Sequence, residues 1–369
     1  MSIPPAAADL SGLASLARDP RLDLRPVLLR VQTDLFLAAP TRDPAMTAAF
    51  EALACGLLPA LDDTAAARLA RKLAPHPESP ARVLELLVER GGEARHAVVA
   101  SAACLTPAVL DAVIAEGGDA AGALAQRADL AADAAVSLMA LADDGIDFAL
   151  AMNRGLELPA AVVDELIERA RTRPALGHAL LARADLTGPE EAALYVYADA
   201  ARRIRIRERM APLAALRRAS AGAIRQDDLT ELAFHAGRDK AAFEGRLAGL
   251  LELPSTPAWR FDHPSRHELL AFALTAAGVE SDDAVRLFLI AEPAIARSVA
   301  TVFELAELSR SLTQPLAASL IEAILGTAVL AGRRGRHVAA MDPSGTPPRA
   351  AAAQRDRDRA LLETVRRAG

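Results

Sequence analysis

Apolar residues along this chain fall in adjacent pairs four residues apart, and the same phrase returns. Residues 73–87 read LAPHPESPARVLELL and residues 99–114 read VASAACLTPAVLDAVI. Each phrase combines a small apolar segment, a polar break, Ser-Pro or Thr-Pro, and an amphipathic run. After Pro80 come Val83, Leu84, Leu87 and Val88; after Pro159 come Val162, Val163, Leu166 and Ile167. After Pro107 the set is Val109, Leu110, Val113 and Ile114, one residue early. Positions i, i+1, i+4 and i+5 share one face of a helix, so each run predicts a helix with a single buried side. Proline suits the first helical position, where the missing N–H has no intrahelical partner. Ser79 and Thr106 are the expected N-caps.

Pro80, Pro107, Pro159 and Pro189 stand 27, 52 and 30 residues apart. The gap of 52 is two periods, with an unmarked helix start expected near Ala131, Ala132 and Asp133. Shorter apolar helices are expected between the longer ones, at 96–103, 121–127, 148–153 and 176–183. Two of them end in the same four letters, RADL, at 127–130 and 183–186. The unit is therefore a short helix, a break and a longer helix. It is too small to bury its own apolar face and must stack on its neighbours. This predicts an all-α chain built as a HEAT-like α-solenoid of stacked helix pairs. A non-repetitive bundle of compositionally similar helices is the alternative.

Three further helices are expected upstream, at 25–38, 44–58 and 64–73, with start signals at Asp43-Pro44 and at Asp62-Asp63-Thr64. Beyond residue 201 the period breaks. Helices are expected at 228–236, 239–251, 265–276, 282–290, 293–311 and 315–325, with a proline-rich loop at 251–265. The resulting domain reading is a flexible N-terminus over 1–24, a repeat domain over 25–218, a smaller helical region over 219–331 and a tail over 332–369. From Arg333 onward the tail carries nine Arg against four acids. Such Gly/Pro-rich, single-sign segments are ordinarily solvated. Its pattern allows a terminal helix over 349–367.

LAPHPESPARVLELL, the ARADL break, AEPAIARSVATVFELAELSRSL (291–312) and MDPSGTPPRAA (341–351) resemble an alphaproteobacterial family catalogued as domain of unknown function 2336. The resemblance extends from about Arg25 into the tail. It implies a HEAT-like architecture and a bacterial cytoplasmic setting, and it implies no catalytic residue.

Composition narrows the function classes. The 369 residues are 52 % hydrophobic but only 3 % aromatic, which argues against a stacking surface for single-stranded nucleic acid. The formal net charge is −6, whereas nucleic-acid binders ordinarily show a basic footprint. Cys55 and Cys104 lie in Ala/Leu-rich runs and read as buried, reduced thiols. The first residues lack the basic and apolar regions of a signal peptide, and no apolar run approaches the about 20 residues of a membrane helix. The expectation is a soluble, cytoplasmic protein.

No Gly-Lys occurs, which excludes a P-loop, and no G-x-S-x-G, H-E-x-x-H or C-x-x-C is present. No catalytic residue, metal site or cofactor is expected. His263 and His267 are four apart, but Pro264 puts His263 at a helix start, where its side chain aims differently. His76 lies between two prolines and reads as a loop residue. The most basic internal stretch holds Arg202, Arg203, Arg205, Arg207 and Arg209, followed by Arg217 and Arg218. With Arg333, Arg334 and Arg336 of the tail, these are the candidate partner- or anion-binding residues. The tail's R-R-G-R and D-P-S-G-T-P depart from the PilZ cyclic-dinucleotide pattern in arginine spacing and in the final glycine. Trp259, Phe261, His263 and His267 form a candidate pocket loop. The favoured function is a non-enzymatic scaffold for a protein partner. A HEAT-like nucleic-acid module of the DNA-repair glycosylase kind and a nucleotide second-messenger sensor are the alternatives.

Overall fold

A computed structural model of the chain describes residues 24–216 and 222–330. Among them are twenty α-helices, three short 3-10 turns and no strand. The described residues are all-α and their helices pack in an ordered, solenoid-like array. Its residues group into two compact units, one up to Arg203 and one from Ile204. The boundary falls inside a single helix rather than at 218/219, where the sequence pattern places it. Ile206, Met210 and Ala214 continue the apolar stripe of that helix, so no composition break marks the point.

The first unit is six helix pairs. They are α1 (Arg25–Ala38) with α2 (Pro44–Leu57), α3 (Asp63–Leu73) with α4 (Ala81–Arg90), and α5 (Gly92–Ser101) with α6 (Pro107–Glu116). Then follow α7 (Gly118–Ala125) with α8 (Ala132–Met139), α9 (Asp144–Met152) with α10 (Ala160–Ala170), and α11 (Pro174–Leu181) with α12 (Gly188–Ala193). The odd-numbered helices pack successively on one another as one layer. In the other layer α2 meets α4, and α6, α8, α10 and α12 follow in series. The predicted apolar faces of α4 and α10 are wholly buried, while Leu110 and Ile114 of α6 are half-buried. Gly91 and Gly117 (φ +80° and +72°) make one-residue corners from one layer to the next, a conformation other residues rarely adopt.

The breaks explain the repeated letters. A helix end leaves carbonyls without intrahelical partners, and here the next repeat supplies the donors. Arg127 donates to Val99 O (3.0 Å) and Ala102 O (2.8 Å), and Asp129 holds its guanidinium at 2.9 and 2.6 Å. Arg183 donates to Asn153 O (2.7 Å) and Leu156 O (2.6 Å), and Asp185 holds it at 2.9 and 2.5 Å. Between them, the Asn153 amide donates to Ala125 O (3.0 Å) and Arg127 O (2.7 Å). In RADL the arginine thus satisfies the preceding repeat, the aspartate aims it, and the buried Leu130 or Leu186 anchors the turn.

Local signals decide the helix starts with some differences from expectation. Thr106 caps α6 by accepting from Val109 N, as its sequence suggests. Ser79 does not cap α4. Its hydroxyl donates back to Leu73 O at 2.7 Å, and Pro80 takes the N-cap position. The cysteines are free, but they are not buried: Cys55 is intermediate and Cys104 is exposed. Cys104 lies in the break after α5 rather than on an inward helix face.

In the second unit, α13 (Ala200–Ala215) contributes its residues from Ile204 onward. It continues with α14 (Gln226–Ala236), α15 (Lys240–Leu250), α16 (His267–Ala276), α17 (Ser281–Ala291), α18 (Pro293–Ala296), α19 (Val299–Ser311) and α20 (Gln314–Leu325). Leu269, Leu270, Phe272 and Leu274 of α16 are all buried, so α16 is apolar all round and forms the core against α19 and α20. The expected single helix over 293–311 is two, because Ser298 caps a new start by accepting from Thr301 N at 3.2 Å.

Candidate functional site

The arginines of α13 are largely engaged within their own units. Asp199 opens the helix by accepting from Arg202 N at 2.7 Å. In the first unit, Arg202 pairs with the buried Glu191, and the Arg203 guanidinium lies over the Tyr195 ring at 5.4 Å. In the second unit, Arg207 pairs with Glu268 at 3.3 Å, while Arg205 and Arg209 are exposed. The five residues are therefore divided between two units and partly neutralised. Arg217, Arg218, Arg333, Arg334 and Arg336 lie outside the described residues, as do residues 1–23 and the tail from 331.

The pocket loop divides in a similar way. Trp259 and Phe261 are 0 % and 2 % exposed and stack at 5.2 Å, with the indole N–H donating to Glu244 O at 3.4 Å. They are core residues. His263 is exposed, and its Nδ1 accepts from Ser265 N at 3.3 Å, capping the 3-10 turn Pro264–Arg266. His267 starts α16 and is half-buried, and its Nε2 is buried without a hydrogen-bond partner among the described residues. Burial pushes its imidazole below the usual histidine range, with the Glu292 carboxylate opposing that shift. Nearby, Lys240 faces Asp262 at 3.4 Å and the buried Glu292 at 3.7 Å. Burial raises the Glu244 carboxyl, and Lys240 opposes it. Among the described residues no group of three or more His, Cys, Asp or Glu side chains is placed to hold a metal ion. His76 is exposed in its turn.

A different region collects cations, and two of them, Arg30 and Arg68, remain open. The amphipathic pattern of α3 buries Ala66, Leu69, Ala70 and Leu73 and leaves Thr64, Arg68, Arg71 and Lys72 outward. On one side of α3, against α1, lies a groove of about 530 Å³. Leu29, Leu61 and Leu69 form its floor, and Arg30, Arg68 and Lys72 stand among its walls. On the other side, against α5, lies a second groove of about 450 Å³ that shares Arg71 and includes Arg90. Lys72 pairs with Asp34, Arg71 with Glu93, and Arg90 with Asp63 at 3.0 Å. Arg30 and Arg68 are exposed and have no hydrogen-bond or ion-pair partner among the described residues. Along the sequence, Arg68 belongs to a short basic run with Arg71 and Lys72 that is sparser than 202–209, and the nearest basic residue to Arg30 is Arg25. The usable signal was the outward polar face of α3, but its apposition to α1 is a tertiary fact.

On the outward side of the odd-numbered layer, α3, α5, α9 and α11 expose Arg68, His96, Phe148 and His178, and the half-buried Gly122 of α7 falls between His96 and Phe148, at spacings of 28, 26, 26 and 30 residues. Phe148 and Met152, one turn apart on α9, are 44 % and 46 % exposed. No helix among the described residues is long and apolar enough to cross a membrane.

Searches of protein-family models, curated proteins and solved structures returned no match to this chain. The family resemblance drawn above therefore rests on its motifs.

Proposed function

We propose that this protein is a non-enzymatic, cytoplasmic scaffold that binds a protein partner along the stacked helices of its first unit. The observation that carries this reading is the repeat-spaced outward row from Arg68 to His178, with the large apolar side chains of Phe148 and Met152 exposed within it. Stacked repeats suit this use, because small rotations between neighbours build one extended surface. Exposed apolar side chains grouped on such a surface mark protein contacts. The internal pairing of Arg202 and Arg207 favours a protein partner over nucleic acid, since those charges already have counter-ions. The non-enzymatic part of the reading stands on the sequence motifs.

The test is site-specific photo-cross-linking of the full chain in a bacterial lysate, with benzoylphenylalanine at Arg68, His96, Phe148 or His178. One discrete protein adduct recurring from at least two of these positions, and not from Val136 in the other layer, supports the reading. Failure to form a discrete adduct at any of the four positions overturns it.

A further inference from the structure

We propose that the groove between α1 and α3 receives an acidic, amphipathic peptide segment of the protein partner. The inference rests on the scaffold reading above and names the chemistry of what that scaffold takes.

The first argument is charge. Arg30, Arg68, Arg71 and Lys72 all line one groove, and the acids paired there are only Asp34 on Lys72 and Glu93 on Arg71. Two guanidiniums are left without an internal counter-ion among the described residues. Planar, weakly hydrated guanidinium groups recognise carboxylates in bidentate geometry, so an acidic ligand is the complement.

The second argument is the apolar surface beside them. Leu29, Leu61 and Leu69 floor the groove, and Val27 lines it while being 56 % exposed. From Val27 the outward side of α1 continues as Leu28, Val31 and Leu35, at 44 %, 48 % and 60 % exposure. No other described helix leaves as many large apolar side chains open. A ligand that matches both features has an apolar face and a row of carboxylates, which an amphipathic peptide offers at i, i+3 and i+4 spacing.

The third argument is extent. A groove of about 530 Å³ alone is of small-molecule size, within the 300–1,000 Å³ range of such sites. Here a second groove lies across α3 and shares Arg71, so the concave surface runs over three helices, with the unpaired cations on its α1–α3 side and Arg71 and Arg90 paired with Glu93 and Asp63 on the other. That length suits a peptide. No aromatic side chain lines either groove, which removes the stacking platform that bases use.

The experiment is selection of a random 16-residue peptide display library on the full chain, followed by fluorescence-anisotropy titration of the enriched peptides. Three variants are titrated beside the wild type: R30E/R68E, R30K/R68K, and R286E/R297E as a charge-matched control at exposed positions in the second unit. Their circular-dichroism melts are compared first, and peptide binding is read only on variants that melt like the wild type. Enrichment of net-acidic peptides with apolar residues at helical spacing is expected. R30E/R68E should lose about tenfold or more in affinity, as arginine hot spots do. R30K/R68K should retain part of the affinity, and R286E/R297E all of it. Enriched peptides without acidic bias, or equal affinity for R30E/R68E, overturn the proposal. So does a duplex or single-stranded oligonucleotide whose binding R30E/R68E abolishes while peptide binding persists. If the photo-cross-linked partner at Phe148 survives R30E/R68E unchanged, the groove assignment falls and the scaffold reading stands. If that adduct is absent from the wild type as well, the scaffold reading falls too.

Discussion

Arg183 and Arg68 carry the same side chain in the same stack of repeats, yet the stack uses them in opposite ways. Arg183 is 2 % exposed and spends its donors on the carbonyls of the preceding repeat and on Asp185. Arg68 is exposed on the middle of α3 and has no partner among the described residues. The breaks at 127–130 and 183–186 are where arginine builds the fold, and the α1–α3 groove is where arginine is left for something else. The α13 arginines, the most conspicuous in the sequence, fall between these extremes. Local density of positive charge therefore says little about availability; the inventory of partners decides it.

The comparison can be broken first at its buried end. Arg183→Ala strands carbonyls at the ends of α9 and of the following turn, and each buried unsatisfied group costs about 1–3 kcal/mol. A loss of about 3 kcal/mol or more in urea unfolding is expected, and a loss under about 1 kcal/mol would show that water replaces the guanidinium freely. Arg127 is less enclosed and serves two carbonyls, so Arg127→Ala should cost about 1–2 kcal/mol in the same measurement.

A smaller effect follows from acid. Hydrogen bonds from Arg127 and Arg183 hold the Asp129 and Asp185 carboxyls below the usual aspartate range, with burial opposing. The unfolded chain then takes up protons first as pH falls. Stability present above the unfolded aspartate value of about 3.9 is lost as pH drops toward the folded values. Urea midpoints measured from about pH 5 downward should fall, and they should fall less steeply in Arg127→Ala, which lacks one of the two pairs. An unchanged slope in that variant would detach the aspartate from its arginine.

The smallest effect belongs to the open end of the comparison. R30E/R68E should leave the urea midpoint within about 0.5 kcal/mol of wild type, as surface substitutions away from special features do. A loss above about 1 kcal/mol would mean that these arginines serve the fold after all.

Much of the architecture was legible along the chain. The i, i+1, i+4, i+5 pattern located α4 and α10, and proline with threonine located the start of α6, because helix periodicity and capping are local properties. Three details were not legible. Ser79 turns back to Leu73, the 293–311 segment splits at Ser298, and Cys104 faces solvent in a break. Each depends on which neighbouring group competes for a donor or an apolar contact, and sequence spacing does not encode that. The candidate site was less legible still. Trp259 and Phe261, expected in a pocket loop, are part of the core, and nothing in the sequence separates Arg30 and Arg68 from the arginines that the fold pairs.

What the sequence determined by itself is the helical class, the repeat and its length. These follow from backbone periodicity, helix-start chemistry and the inability of one short helix pair to bury its own face. Only the tertiary structure decided which of many arginines are satisfied and which are open. A charge is neutralised by whatever lies within a few ångströms, and stacking brings together residues that stand some 25 to 40 positions apart, such as Arg183 with Asn153 and Lys72 with Asp34.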